Sequence, residues 1–273
     1  MLGVQLFGLS GLLKTDRMPT LRKLCDMGIE AVEPYVPLTN KEIAAFESAF
    51  EEFRALGLSV PSAHVSPALF GRRPAKISRN LVLIQDKTDI SVFVFSGMFS
   101  KESAAQRWGR LLGDVARAVS DSGITILYHN HDMELRPVGV GGRTAMDAFL
   151  DAAGSDVMLQ LDIGWAGVAG DEVDIAKKYA DRIVEIHCKD FYKGARGKYS
   201  LFTMPKRLFA PIGDGVIKTK EVLDMRDDFS NFNGAVLIDQ DYSTGDLLSD
   251  IATGCHNLQE YFDEQRTPES YDL

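Results

Sequence analysis

Eight short apolar runs punctuate the chain, at residues 4–7, 29–33, 61–64, 91–95, 124–129, 157–162, 183–187 and 235–239. Between them the apolar positions change to helical spacing. Ile43, Phe46, Ala49, Phe50, Phe53 and Leu56 fall on one face of a helix. Thr39, three residues ahead of Glu42, reads as a capping box for that helix, and Gly57 sits where a left-handed residue closes it. Gly28 closes the preceding helix, over residues 18–27, in the same way, and Asp246 opens a last helix that ends near Phe262. Most runs recur roughly every 30 residues, one strand–helix unit each; the last gap is longer. Strands alternating with helices predict a parallel sheet, and eight such units predict a closed (β/α)8 TIM barrel in a single domain. The barrel is expected over residues 1–264, with a polar tail at 265–273.

One connection breaks the rhythm. The stretch 189–215 is too long for a simple link and mixes Lys189, Lys193, Arg196, Lys198, Lys206 and Arg207 with Phe191, Tyr192, Tyr199, Phe202 and Phe209. Long loops in compact domains are usually functional. This one follows the seventh strand, where it can cover the barrel mouth or meet a second subunit; the plainer reading is a solvated insertion with a small core of its own. Gly213-Asp214-Gly215 then forms a turn before a helix near residues 216–225.

Composition narrows the function. A net charge of −9 over 273 residues argues against a nucleic-acid partner, which wants a basic face. Three scattered cysteines do not make a disulfide framework and suit a reducing compartment. No run reaches the roughly 18 apolar residues of a membrane span, and the apolar start reads as a first strand rather than a leader. These features predict a cytoplasmic protein with no membrane partner. No phosphate-binding Walker loop, nucleophile elbow or CxxC zinc pattern is present, and the glycines at 139–142 lack the spacing of a dinucleotide loop.

The chemistry is carried at the strand ends. In a barrel of this kind the C-terminal ends of all strands share one face. Asp162, His187 and Asp239 end the sixth, seventh and eighth runs, and Glu134 lies just past the fifth, in Tyr128-His129-Asn130-His131-Asp132-Met133-Glu134. Three carboxylates and one imidazole make a site for one divalent ion. The carboxylate excess favours Mn²⁺ over Mg²⁺, Co²⁺ or Zn²⁺. His131 beside Glu134 suits a general base. The parity leaves a second reading, in which His129 is the ligand and Glu134 the base. Lys189 alternates to the side of His187, placed to hold a substrate oxygen or stabilise an enolate. Trp165 is placed to stack on a sugar face, although packing is the commoner fate of tryptophan. His64, Glu33 and Gln5, at the mouth ends of the first three strands, are further candidates for substrate contact.

Taken together, these motifs with Gly3-Val4-Gln5-Leu6, Glu30-Ala31-Val32-Glu33, Leu161-Asp162-Ile163-Gly164-Trp165 and His187-Cys188-Lys189-Asp190 resemble the sugar phosphate isomerase/epimerase proteins of the xylose isomerase-like TIM-barrel superfamily, over roughly residues 3–263. The resemblance implies one divalent metal held by Glu134, Asp162, His187 and a last-strand glutamate. Here Asp239 stands at that position, with Asp241 as a nearby substitute. It implies a small-molecule sugar substrate and isomerisation or epimerisation of a sugar or keto-sugar through an enediolate. The alternatives are a dehydratase or lyase, as in inosose dehydratases, 3-dehydroshikimate dehydratases and C-glycoside deglycosidases, or a non-catalytic sugar-binding relative. In the deglycosidases a His-x-x-Glu pair resembles His131 and Glu134, with the histidine as base. The superfamily's nucleases carry a histidine where this chain has Trp165, which argues against a nuclease. Such barrels form homo-oligomers, and the aromatic loop is a candidate contact. Phosphate on the substrate is left open: the basic residues at 189–207 could hold one, but no dedicated phosphate loop is present.

Overall fold

The strands meet in one parallel sheet that curls back on itself. The computed structural model describes residues 1–36, 40–65, 73–138 and 140–266. In chain order the elements are β1 (Leu2–Gln5), α1 (Ser10–Thr15), α2 (Arg17–Asp26), β2 (Ala31–Glu33), β3 (Tyr35–Val36), α3 (Asn40–Ala55), β4 (Ala63–Val65), α4 (Pro74–Thr88), β5 (Val92–Ser96), α5 (Glu102–Val119) and β6 (Thr125–His129). Then follow α6 (Asp132–Leu135), α7 (Ala145–Ala153), β7 (Val157–Asp162), α8 (Ile163–Ala169), α9 (Glu172–Lys178), β8 (Ile183–Cys188), β9 (Asp190–Phe191), β10 (Phe209–Ala210), α10 (Thr219–Asp224), β11 (Val236–Ile238) and α11 (Leu247–Arg266). No helix among the described residues is long and apolar enough to cross a membrane.

The sheet order is β2-β1-β11-β8-β7-β6-β5-β4-β3. Its two end segments are halves of one strand, divided by Pro34. Proline has no N–H to give the ladder, so pairing breaks there. The Pro34 carbonyl still accepts the His64 N–H at 2.9 Å. The sheet therefore closes as an eight-stranded ring with helices outside.

Most expected strands are observed within two residues. β1 is shifted toward the N-terminus, which leaves Phe7 outside the strand and half-exposed. The short segments β3, β9 and β10 were not legible in the sequence, because two-residue strands leave no periodicity. Gly28 (φ +86°) and Gly57 (φ +72°) take the left-handed conformation expected of helix-closing glycines. Asp246 caps α11 by accepting the Ser249 N–H at 3.0 Å. That helix continues to Arg266, beyond the expected stop at Phe262 and into the expected tail. Thr39, and the capping box it would form, lies outside the described residues.

Period-two alternation sorts the barrel interior. Val94 and Leu127, with Val92 and Met158 against them, form a small apolar cluster. Two residues further along the same strands come Ser96, His129 and Gln160, and then Asp162. Apolar side chains thus fill the lower barrel and ionisable ones the upper.

The loop after β8 is anchored, with its own small core. β9 and β10 pair antiparallel, Phe191 opposite Phe209. Those two rings and Trp165 pack with centroids 4.9 and 5.0 Å apart. The Asp190 carboxylate accepts four backbone N–H groups, those of Phe191, Gly213, Gly215 and Ile217, at 2.8–3.0 Å. Buried Glu172 binds the Arg196 fork through both oxygens, at 2.5 and 2.6 Å. Arg196 is 32% exposed and keeps the carbonyls of Gly167, Gly170 and Val216, so Glu172→Ala removes charged hydrogen bonds without stranding the guanidinium. It is expected to lower unfolding free energy by about 2 kcal/mol in a urea titration, and an unchanged midpoint would show that the fork does not hold the loop.

Candidate metal centre and active site

Register brings the strand-end ligands side by side. His129 pairs with Gln160 across β6 and β7, and Asp162 pairs with His187 across β7 and β8. Asp239 follows β11, its N–H bound to the Cys188 carbonyl at 2.9 Å. His129, Asp162, His187 and Asp239 are all buried, and each offers a ligand atom within 4.8 Å of the others'. His64, His129 and His187 also converge within that distance.

The donor atoms fit a cation. Asp162 Oδ1 accepts the Trp165 N–H at 2.7 Å and caps α8, which leaves the buried Oδ2 with no hydrogen-bond partner. Burial pushes the Asp162 carboxyl up to about 6, with Lys189 opposing the shift. His129 Nδ1 lies 3.0 Å from Gln160 Oε1, so it carries the proton and Nε2 is left with a lone pair toward Asp162 Oδ2, 3.9 Å away. Burial and the neighbouring imidazoles hold the His129 pKa well below its ordinary value, so the ring is neutral as a ligand must be. His187 Nδ1 bonds Asp239 Oδ2 at 3.3 Å while its Nε2 lies 2.9 Å from Glu33 Oε2. Burial works to lower the His187 pKa, but the carboxylates of Glu33 and Asp239 prevail and raise it to about 10, so the ring holds a proton that a cation bound there would have to displace.

A buried polar floor holds these imidazoles in place. Gln160 Oε1 faces both His129 Nδ1 and His64 Nε2 at 3.0 Å. The Gln160 amide donates to Glu33 at 2.6 Å and to Glu185 at 2.9 Å. Ser62 Oγ sits 2.8 Å from Glu33 and 2.7 Å from Glu185. One hydroxyl proton can serve only one of the two carboxylates. Burial and the charge of Glu33 raise the Glu185 pKa. Such supporting groups fix ring orientation and tautomer, and losing one typically costs about 10–100-fold in metal affinity. Gln160→Leu is expected to weaken metal binding by about that factor in a chelator competition; undiminished affinity would remove the floor from the ligand argument.

Lys189 is the cation in the site. Its ammonium lies 2.6 Å from Asp241, 2.9 Å from Asp239 and 3.5 Å from Asp162. Asp241 is thus tied to Lys189 and is not among the four clustered ligands.

His131 and Glu134 form a separate pair on the wall. Glu134 accepts the Tyr128 hydroxyl at 2.8 Å and the His131 N–H at 3.1 Å, and its Oε1 lies 3.8 Å from His131 Nδ1. Burial would lower the His131 pKa, but the nearby Glu134 carboxylate outweighs it and raises the value. The short helix α6 begins right after His131 and turns the Glu134 side chain toward Tyr128 and away from the ligand cluster.

The expected residues therefore divide. Asp162, His187 and Asp239 come together with His129, the alternative candidate, while Glu134 lies outside that group. His131, Lys189, His64 and Gln5 line the mouth, although His64 is turned to the floor. Glu33 lies wholly buried in the floor, so it supports imidazoles where a substrate contact was expected. Trp165 is wholly buried between His131, Phe191 and Phe209, because Asp162 caps α8 and draws the helix start under the loop. A stacking face for sugar is not available from it. Sequence reasoning missed Gln160, Glu185, Ser62 and Tyr128. The first two alternate with Asp162 and His187, and that parity was the available signal.

Known proteins match this architecture. A 1.70 Å crystal structure described as a sugar phosphate isomerase/epimerase from Parabacteroides distasonis superposes with a TM-score of 0.76 at 17% identity, covering 94% of this chain and 93% of that one. The apo form of 3-keto-D-glucoside 4-epimerase from E. coli superposes with a TM-score of 0.66 at 13% identity, covering 96% and 98%. In sequence, the rhizopine catabolism protein MocC of Rhizobium meliloti is 28% identical over 126 residues, 44% of this chain; the match spans 38% of that relative's length. The sequence model described as xylose isomerase-like TIM barrel matches residues 21–260, and with that span the chain belongs to the xylose isomerase-like TIM barrel family.

Proposed function

We propose that the protein is a divalent-metal-dependent isomerase or epimerase of a small sugar or keto-sugar. The observation that carries this reading is the buried set His129, Asp162, His187 and Asp239, four ligand atoms within 4.8 Å of one another beside a histidine–carboxylate pair. A divalent ion held there supplies Lewis-acid polarisation of a carbonyl, which acidifies the adjacent C–H. Two imidazoles among four ligands soften the site relative to the expected three-carboxylate set, so Zn²⁺ and Co²⁺ suit it as well as Mn²⁺.

The chain's own groups divide the remaining work. His131, on the wall of the mouth, takes the proton from the carbon next to the carbonyl. Glu134 orients its ring and keeps the imidazole basic, and Tyr128 and the His131 N–H hold Glu134 in turn. Lys189 offers its ammonium to the substrate oxygen that gains negative charge. Returning the proton to the neighbouring carbon gives isomerisation, and returning it to the same carbon from the opposite face gives epimerisation.

The test is exchange with solvent. The protein is reconstituted in turn with Mn²⁺, Zn²⁺, Co²⁺ and Mg²⁺ and incubated in D₂O with a panel of keto-sugars and aldoses. The proposal expects one deuterium at the carbon beside the carbonyl and metal-dependent conversion to an isomer of equal mass otherwise. A product lighter by one water would move the assignment to a dehydratase, and absence of exchange with every metal and sugar would overturn the catalytic reading.

A further inference from the structure

The mouth of the barrel has two unlike zones. Its floor is polar and ionic, with His129, His131, Lys189, Asp239 and Asp241 facing a cavity of about 470 Å³. Its rim is apolar. Phe202 is 69% exposed, Phe7 and Met98 are each 51% exposed, and Tyr242 is 40% exposed; all four line this one cavity. They are half of the eight large apolar side chains that stand exposed among the described residues. A scatter of single exposed apolar residues needs no explanation, but a cluster around one polar pocket does.

The rim is also built. Phe202 belongs to the loop after β8, and that loop is tied to the segment carrying His131. Buried Asp132 accepts the Leu201 N–H at 2.8 Å, and Arg136 bridges Asp132 at 2.9 Å and the Tyr199 carbonyl at 2.6 Å. The backbone next to Phe202 is therefore held by two polar contacts to the α6 segment, and the Arg136–Asp132 pair ties those two anchors together. Tyr242 is oriented as well, with the Lys206 ammonium 4.4 Å from its ring centre and the Phe209 ring edge-on at 5.2 Å.

The cations that line the mouth are already engaged, Lys206 with the Tyr242 ring. Lys189 is held by three carboxylates. Arg196 is turned away to Glu172. Asp239 and Asp241 face the cavity beside the Lys189 ammonium and leave it no free side for an anion. Apart from Lys206, what remains to be covered on the rim is aromatic and thioether surface.

We infer that the substrate is a neutral sugar carrying an apolar, aromatic-sized substituent: the sugar oxygens meet the ionic floor and the substituent lies on Phe7, Met98, Phe202 and Tyr242. This rests on the sugar-processing reading of the same mouth and specifies its substrate class. It also excludes a sugar phosphate as the preferred ligand.

Binding separates the two claims. Protein loaded with the divalent metal it binds most tightly is titrated calorimetrically with phenyl and methyl glycosides of a panel of hexoses and with the corresponding hexose 6-phosphates. At least one phenyl glycoside is expected to bind tenfold or more tighter than its methyl partner, as burial of one aromatic ring permits, and tighter than any hexose phosphate. Phe202→Ala and Met98→Ala, both at exposed positions, are each expected to pull the phenyl-to-methyl ratio toward one. A ratio below tenfold throughout the panel, a ratio unmoved by both substitutions, or tighter binding of a phosphate would overturn the inference. Phenyl preference without deuterium exchange would leave this inference standing and overturn the proposed catalysis; exchange without phenyl preference would do the reverse.

Discussion

Asp162→Asn is expected to abolish stoichiometric metal binding and to lower turnover by on the order of 10³. The choice of asparagine separates two jobs that one side chain performs. Oδ1 caps α8 through the Trp165 N–H at 2.7 Å, and asparagine is as good a cap as aspartate. Oδ2 is buried, without a hydrogen bond and within the ligand cluster, 3.5 Å from the Lys189 ammonium, and only a carboxylate supplies its charge. The folded state is thus expected to survive while the cation is lost. Metal content of the dialysed protein and thermal unfolding in excess chelator are the two readouts. Unfolding that matches the parent protein, together with a metal stoichiometry near zero, is the expected pair. A variant that keeps one tightly bound ion would show that Asp162 is an ordinary cap with a spare oxygen. Asp162→Ala loses the cap as well, worth about 1 kcal/mol, so its effects mix stability with binding.

His131→Ala is expected to behave in the opposite way. His131 lies outside the four-ligand set, so metal content is expected to stay at the parent level. Loss of a positioned general base typically costs about 10²–10⁴ in rate, and the fall is expected in kcat and in deuterium exchange together. Glu134→Gln gives the milder companion. It keeps a hydrogen-bonding group near Tyr128 but removes the charge that raises the imidazole pKa. With a less basic His131 the acid limb of the pH–rate profile is expected to move to lower pH, in keeping with a folded-state pKa that Glu134 had raised. Parent-like turnover in His131→Ala would assign the proton transfer elsewhere, whereas loss of metal in that variant would return the segment to the ligand set.

The barrel itself was legible because its signals are local. Alternating apolar runs and helical stripes reflect periods of two and about 3.6 residues that any neighbouring window displays. The strand-end positions of Asp162, His187 and Asp239 followed from the same count, since all strands of a parallel barrel end on one face. The two-residue strands escaped it. So did the break at Pro34, where one strand serves two neighbours on different sides. The loop after β8 was visible as an anomaly of length and composition, but its attachment to Asp190, Glu172 and Asp132 joins residues far apart in the chain.

The fourth ligand shows where local reading ends. His129 and Glu134 were both candidates, five residues apart, and parity alone favoured neither. Two features settle which one faces the cluster. The register of β6 against β7 sets His129 beside Gln160, whose amide oxygen fixes the imidazole from behind. The turn of α6 then hands Glu134 to Tyr128, a partner that lies outside the cluster. Trp165 and Glu33 changed roles for the same reason, one drawn under the loop by a helix cap and the other into the floor by His64 and His187.

Sequence by itself determined the strand–helix order, the barrel, and the mouth to which the ionisable side chains are delivered, because backbone periodicity is a short-range property. Only the tertiary structure decided which imidazoles and carboxylates touch and which one is left with an open lone pair. Those outcomes depend on inter-strand register and on hydrogen bonds between residues as far apart as Glu33 and Gln160, and no local pattern encodes either.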